Sequence, residues 1–342
     1  MKLKEIKNKL VSQEYDFLRT NEHLGNNIIL LTVGGSHAYG TQHENSDLDI
    51  RGCFLNNKYE ILTNHRYEQF DNTETDTVIY SFDKFLSLLT NCNPNVIESL
   101  GNKPEHYFYL SDIGKELLDN KHLFLSKKCI QTFGGYANDQ LRRLSNISNR
   151  YVGQKENEKH ILDSINNARY SFPERYLTMP GDAIRLYLDN AIQEDFEQEI
   201  FMDINLSHYP LRDYAGMISE MQSIIRSYGK IGKRNKRAIE HDKIGKHMLH
   251  LIRLFLMCFD ILEKEEINTY RTNDIEFLLS VKNGLFLDSN MQPTKEFYEY
   301  INSLEQRLQY AAKHTNLPEV PNYKEINDFK ASVNEIIILG GI

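Results

Sequence analysis

Hydrophobic positions change their period twice within the first hundred residues. Leu3, Ile6, Leu10 and Phe17 recur at helical spacing in an otherwise polar stretch and predict an amphipathic helix over residues 1–20. The run Asn27-Ile28-Ile29-Leu30-Leu31-Thr32-Val33 is continuous, apolar and β-branched, which predicts a buried strand. It stops at Gly34-Gly35-Ser36, after which a short helix is expected through Ala38 and Tyr39. From Ser46 to Phe54 apolar and polar residues alternate, predicting a second strand with Leu48 and Ile50 on the core side. Residues 74–80 form a third β-rich run, and Ser81-Phe82-Asp83-Lys84 opens a helix over 83–89 as an N-cap followed by a first-turn acid.

Farther along, the pattern is mostly helical. Helices are expected over 121–148 with an interruption at Gly134-Gly135, and over 157–176, 182–193, 214–228, 240–263, 274–283 and 295–314. A linker with two prolines, 315–322, leads into a last helix. No repeat or low-complexity tract is evident. The expected fold class is α+β: a domain over residues 1–115 with a mixed β-sheet flanked by helices, followed by a mainly helical domain over 116–342 that closes over a cleft.

Chemistry enters at two points of this pattern. Two glycines after a buried strand permit close approach of a ligand to the backbone, Ser36 adds a hydroxyl, and the start of a helix offers unpaired N–H groups, so Gly35 and Ser36 are candidate phosphate-binding residues. An ordinary tight turn is the alternative. Asp47 and Asp49 are spaced i and i+2, which on a strand places them on one face roughly 6–7 Å apart. Two such carboxylates repel unless cations lie between them, and hard Mg²⁺ completed by substrate phosphates suits the arrangement. Alone, Asp-x-Asp is common on solvated edges; its place directly behind a strand and a Gly-Gly-Ser turn is what favours chemistry.

The wording Gly35-Ser36-x-Ala38-Tyr39-Gly40-Thr41, Ser46-Asp47-x-Asp49-x-Arg51-Gly52, Ile79-Tyr80-Ser81-x-x-Lys84-Phe85-Leu86 and Asn93-Pro94-Asn95-Val96-Ile97-Glu98 resembles the DNA polymerase β-like nucleotidyltransferase superfamily. Within it the resemblance is to one branch, the RNA repair pathway DNA polymerase β family. It spans about residues 28–101 and returns more loosely near 240–285. It implies a third carboxylate on a neighbouring strand, for which Asp76, sharing a face with Val78 and Tyr80, is the candidate; Asp71, Glu74 and Asp83 compete. It further implies an enzyme that uses two Mg²⁺ ions, or Mn²⁺, held by Asp47, Asp49 and Asp76. The reaction would move a nucleoside monophosphate from a nucleoside triphosphate to an acceptor hydroxyl with release of pyrophosphate, and an RNA (tRNA-like) 3′ end is the acceptor the family name suggests. Nucleotidylation of a protein or small molecule, or a non-catalytic nucleotide-binding module, are the alternatives. Arg51 either touches a phosphate or orients the acids through a salt bridge.

Composition changes this picture little. The 342 residues are 40% hydrophobic and 26% charged, ordinary for a globular chain. The four cysteines are dispersed and read as reduced core thiols. No signal peptide and no apolar run of membrane-spanning length is expected, consistent with a cytoplasmic enzyme. A net charge of −8 argues against indiscriminate coating of nucleic acid. Yet residues 226–253 carry Lys230, Lys233, Arg234, Lys236, Arg237, Lys243 and Lys246 against Glu240 and Asp242. This is either a solvated loop, 229–237, or an electrostatic guide for triphosphate or RNA. In the helix that follows, Lys246, His250 and Arg253 fall on one stripe of an apolar surface, as candidate triphosphate ligands or as a structural ion-pair ladder. His247 and His250 lack a third partner at metal-ligand spacing. Tyr39 and Tyr80 are candidates for stacking on a base, with burial the alternative.

Overall fold

The computed structural model describes residues 1–44, 46–148, 159, 161–166, 183–190, 198–240, 244–288 and 293–340. Within them lie strands β1 (Ile28–Val33), β2 (Ile50–Phe54), β3 (Gln69–Asn72), β4 (Thr77–Ser81), β5 (Tyr107–Leu110), β6 (Ile184–Asn190) and β7 (Gln198–Ile204). The helices are α1 (Leu3–Leu10), α2 (Phe17–Thr20), α3 (Gly35–Tyr39), α4 (Lys58–Thr63), α5 (Phe82–Thr90), α6 (Pro94–Ile97), α7 (Asp112–Asp119), α8 (Lys128–Ser148), α9 (Leu211–Glu240), α10 (Ile244–Lys264), α11 (Ile275–Lys282), α12 (Lys295–His314) and α13 (Tyr323–Leu339). The α+β class is therefore the one observed.

Contacts group the chain into two units. The first holds Met1–Gln140, Met248–Phe286 and Thr294–Ile342, and the second Leu141–His247 and Leu287–Pro293. The first is built on a five-stranded mixed sheet ordered β3-β4-β2-β1-β5, in which β2 and β4 run parallel and the other neighbours antiparallel. β1 is buried along its whole length, as its uninterrupted apolar sequence demands. Leu10, Tyr15, Leu31, Val33 and Ile50 cluster with Tyr39 of α3. A second cluster gathers Leu30, Cys53, Phe85, Leu254, Cys258 and Phe329 from the sheet, α5, α10 and α13. In the second unit, β6 and β7 pair antiparallel, and Ile184, Met217 and Met221 share a small core.

Several expected elements differ. Residues 1–20 are not one helix: α1 ends at Leu10, where Arg19 donates to the carbonyls of Leu10 (3.0 Å) and Ser12 (3.1 Å) and turns the chain back. The segment 182–193, read as helical, contains strand β6, because short apolar runs are ambiguous and its partner β7 is supplied from outside the window. Gly134 and Gly135 do not interrupt α8, and the expected loop 229–237 lies within α9. The side chains of 226–240 and all of Lys243 lie outside the described residues, as does most of the helix expected over 157–176. By contrast α5 starts as expected, the Ser81 hydroxyl accepting from Lys84 N.

Candidate active site

Strand register assembles the site. β1 pairs antiparallel with β2, Val33 opposite Ile50, so the residue that follows β1 meets the residue that precedes β2: Gly34 N donates to Asp49 O at 2.9 Å. β2 pairs parallel with β4, Ile50 opposite Thr77, so the residues preceding these two strands are also side by side, and Ile50 N donates to Asp76 O at 3.2 Å. One end of the sheet thus carries the Gly-Gly-Ser turn, Asp49 and Asp76.

None of the three acids lies on the strand expected to carry it. β2 begins only at Ile50, because β1 has ended and 46–49 has no strand beside it; Asp47 and Asp49 occupy the extended approach to β2, with Leu48 buried between them. Asp76 closes the β3–β4 hairpin with a left-handed backbone (φ 46°) instead of sharing a face with Val78 and Tyr80. That loop is shaped by Asn72, whose Oδ1 accepts from Glu74 N (3.0 Å) and Thr75 N (3.1 Å). An aspartate tolerates the left-handed region better than most residues, at about 1 kcal/mol.

Arg51 joins the acids. Its Nη2 donates to Asp76 Oδ1 at 3.1 Å and Asp49 Oδ1 at 3.4 Å, while its Nη1 donates to Asp76 O at 2.6 Å and Ile50 O at 2.9 Å. The three side chains are about 20–57% exposed, within reach of solvent and ligands. Gly35 has φ 55°, and a Cβ there would fall into the Asp49 carboxylate, so the turn packs directly against that acid. Asp47 is exposed and outside the Arg51 bridge. Tyr15, beneath the site, has its hydroxyl pushed up to about 12 by burial and then by the charges of Glu14, Asp76 and Asp49.

The carboxylate oxygens of Asp49 and Asp76 converge on a single cationic group, and hard oxygen donors of this kind fit Mg²⁺ or Mn²⁺. Among the described residues no group of three or more His, Cys, Asp or Glu side chains is set to hold a metal ion.

The turn is anchored from its far end. Tyr39, the last residue of α3, donates through its hydroxyl to Glu98 (3.0 Å), Arg253 Nη1 donates to Glu98 Oε2 (2.8 Å), and the guanidinium lies 3.7 Å from the centre of the Tyr39 ring. Glu98 and Arg253 are about 5% and 4% exposed, so this is a buried pair. Burial is the largest cause of the upward shift of the Tyr39 hydroxyl. His250 meets the Tyr39 ring edge-on at 6.3 Å. Gly40 (φ 82°) continues the device, since a Cβ there would strike Tyr270 and Ile275. The structural ion pair left open for Arg253 is thus the arrangement found, and Tyr39 is a buried anchor, away from base stacking. Lys246 is exposed and belongs to the other unit.

Sequence reasoning overlooked a polar cluster on the opposite flank of the turn. Asn102 Nδ2 donates to Thr32 Oγ1 and Val33 O (both 2.8 Å), and Thr32 Oγ1 donates to His106 O (3.0 Å). Asn102 Oδ1, His37 Nε2 and His106 Nδ1 are buried with no hydrogen-bond partner among the described residues. Burial, aided for His37 by the N-terminal amine and His106, lowers the pKa of both imidazoles. Glu98 carried no chemical signal of its own in the sequence, because its partners come from residues 39 and 253.

With the geometry in place, comparison with known proteins identifies the relationship. An uncharacterized 38.9 kDa protein from the nrdC-mobD intergenic region of Enterobacteria phage T4 is 22% identical over 309 residues, covering 81% of this chain and 87% of that protein. No solved structure matches. Among the described residues no helix is long and apolar enough to cross a membrane. Residues 5–159, which hold the turn, all three acids and Arg51, match the model of the RNA repair pathway DNA polymerase beta family, and the resemblance read in the motifs is thereby established.

Proposed function

We propose that the protein is a nucleotidyltransferase that moves a nucleoside monophosphate from a nucleoside triphosphate to an acceptor hydroxyl, with an RNA 3′ end as the acceptor. The observation that carries this reading is the meeting of Gly35, Asp49 and Asp76 at one end of the sheet, inside the segment that matches the family. Asp47, Asp49 and Asp76 would hold Mg²⁺ or Mn²⁺, which when bound neutralises phosphate charge and makes an attacking hydroxyl more acidic. Gly34, Gly35 and the Ser36 hydroxyl would receive the β and γ phosphates, the missing side chains allowing close approach. The α phosphorus would then lie near the acids for in-line attack, a reaction that needs positioning and charge stabilisation and no covalent nucleophile. Tyr39, Glu98 and Arg253 would keep the short helix α3, and with it the turn, in place. Lys246 and the basic residues of 226–243 would guide triphosphate or RNA.

The test is incubation of the purified protein with Mg²⁺, each α-³²P ribonucleoside triphosphate in turn, and total cellular RNA, beside the Asp47→Asn variant. Label entering RNA only with the intact acid supports the proposal and names the base. Label on protein or a small molecule would move the acceptor, and no label anywhere would overturn the activity.

A further inference from the structure

Arg51 is held at its two ends by groups of different kinds. Nη1 is fixed by the carbonyls of Ile50 and Asp76, backbone groups at the very point where β2 and β4 enter their parallel pairing. Those acceptors cannot leave without opening the sheet. Among the described residues, Nη2 is held only by the carboxylates of Asp49 and Asp76, which turn about their own side-chain bonds. These are the two acids that the proposed function assigns to the divalent cation. One guanidinium therefore stands where a divalent cation would have to draw the same oxygens.

We infer that Arg51 is a resident counter-ion that competes with the divalent cation for Asp49 and Asp76, and that cation binding releases its Nη2 edge to a phosphate oxygen of the nucleotide. The inference rests on the nucleotidyltransferase reading of the site and adds an order to it: cation first, then triphosphate. The physical logic is charge balance. Two carboxylates close together need a positive partner whether or not metal is bound, and Arg51 supplies it at charge +1 with two hydrogen bonds. A divalent ion brings twice the charge to the same oxygens and displaces them from Nη2. The guanidinium, still pinned through Nη1, is then a partly exposed cation lacking its carboxylate partners, and a phosphate is the anion whose geometry suits its planar fork. The two roles left open for Arg51, orienting the acids and touching a phosphate, become successive states of one side chain.

The experiment uses the full-length protein and two readouts. Binding of Mn²⁺ alone is followed by electron paramagnetic resonance, and binding of ATP at saturating Mn²⁺ by equilibrium dialysis, for the unmodified protein, Arg51→Gln, Arg51→Lys and Asp49→Asn. Removing the competing charge in Arg51→Gln is expected to tighten Mn²⁺ by about tenfold, given the strength of charge interactions at a partly exposed site, while weakening ATP by a similar factor. Opposite signs are the signature, since a merely structural lesion weakens both. Arg51→Lys, whose ammonium cannot hold two carbonyls and two carboxylates at once, should shift Mn²⁺ the same way by less, and it replaces the glutamine variant if that chain does not fold. Unchanged or weakened Mn²⁺ binding in both arginine variants, with binding lost in Asp49→Asn, overturns this inference alone. Unaltered Mn²⁺ binding in Asp49→Asn overturns the metal assignment and the inference with it.

Discussion

Two arginine–carboxylate clusters support the same short helix from opposite ends, and they are built for different work. At its start, Arg51 bridges Asp49 and Asp76 with side chains from about 20% to 57% exposed. Beyond its end, Arg253 and Glu98 are about 4% and 5% exposed and locked by the Tyr39 hydroxyl and ring. Solvent lets the first cluster exchange partners at small cost, because a freed carboxylate is rehydrated. In the second, a freed charge would stand in a low-dielectric interior, so the pair is a fastening. Arginine next to a carboxylate therefore says nothing about function until its burial is known.

The sharpest way to break this comparison is to alter the acids of the exposed cluster. Asp49→Asn is expected to lower nucleotidyl transfer by about 10³-fold or more, with the thermal midpoint unchanged or raised; a clear loss of stability would make Asp49 a structural residue like Glu98. Glu98→Gln should do the reverse, costing about 3 kcal/mol in denaturant unfolding because it leaves Arg253 buried without its counter-charge. If urea titration showed less than about 1 kcal/mol, on the scale of an exposed pair, the contrast between the clusters would fail. Gly35→Ala inserts a methyl group into the Asp49 carboxylate at a residue with φ 55°. It is expected to cost about 1–2 kcal/mol and to weaken ATP binding, measured by unfolding and equilibrium dialysis together.

A smaller effect sharpens the picture on the turn's other flank. His37 and His106 have lowered pKa values in the folded chain, so below about 6.5 the unfolded chain takes up protons that the folded one resists. Stability is then expected to fall as pH drops below about 6.5, and the slope should be shallower in His106→Gln. An identical slope in the variant would remove His106 from the cause.

Much of the site was legible because it is local. Gly35, Ser36, Asp47 and Asp49 lie within fifteen residues, and a strand followed by a glycine turn and two acids constrains its own geometry. Asp76 was reachable only through the resemblance, and its true position depends on the parallel register of Ile50 with Thr77, which no periodicity contains. The alternation from Ser46 to Phe54 overextended β2, since alternating burial occurs in an extended approach as well as in a paired strand. The charged stripe in an apolar helix leaves Arg253 open as a triphosphate ligand or as a structural ion pair. The requirement for a partner was sound, but the partner is Glu98, 155 positions away.

Sequence alone determined the α+β class, the buried β1, the turn and the pair of acids, because hydrophobic period, glycine freedom and short-range charge repulsion act over a few residues. Tertiary structure alone decided that Met248–Phe286 and Thr294–Ile342 pack in the same unit as the sheet, that Arg51 ties Asp49 to Asp76, and that Arg253 is buried. These outcomes depend on which strands lie side by side and which charges lose their water, and both are set by contacts between residues far apart in the chain.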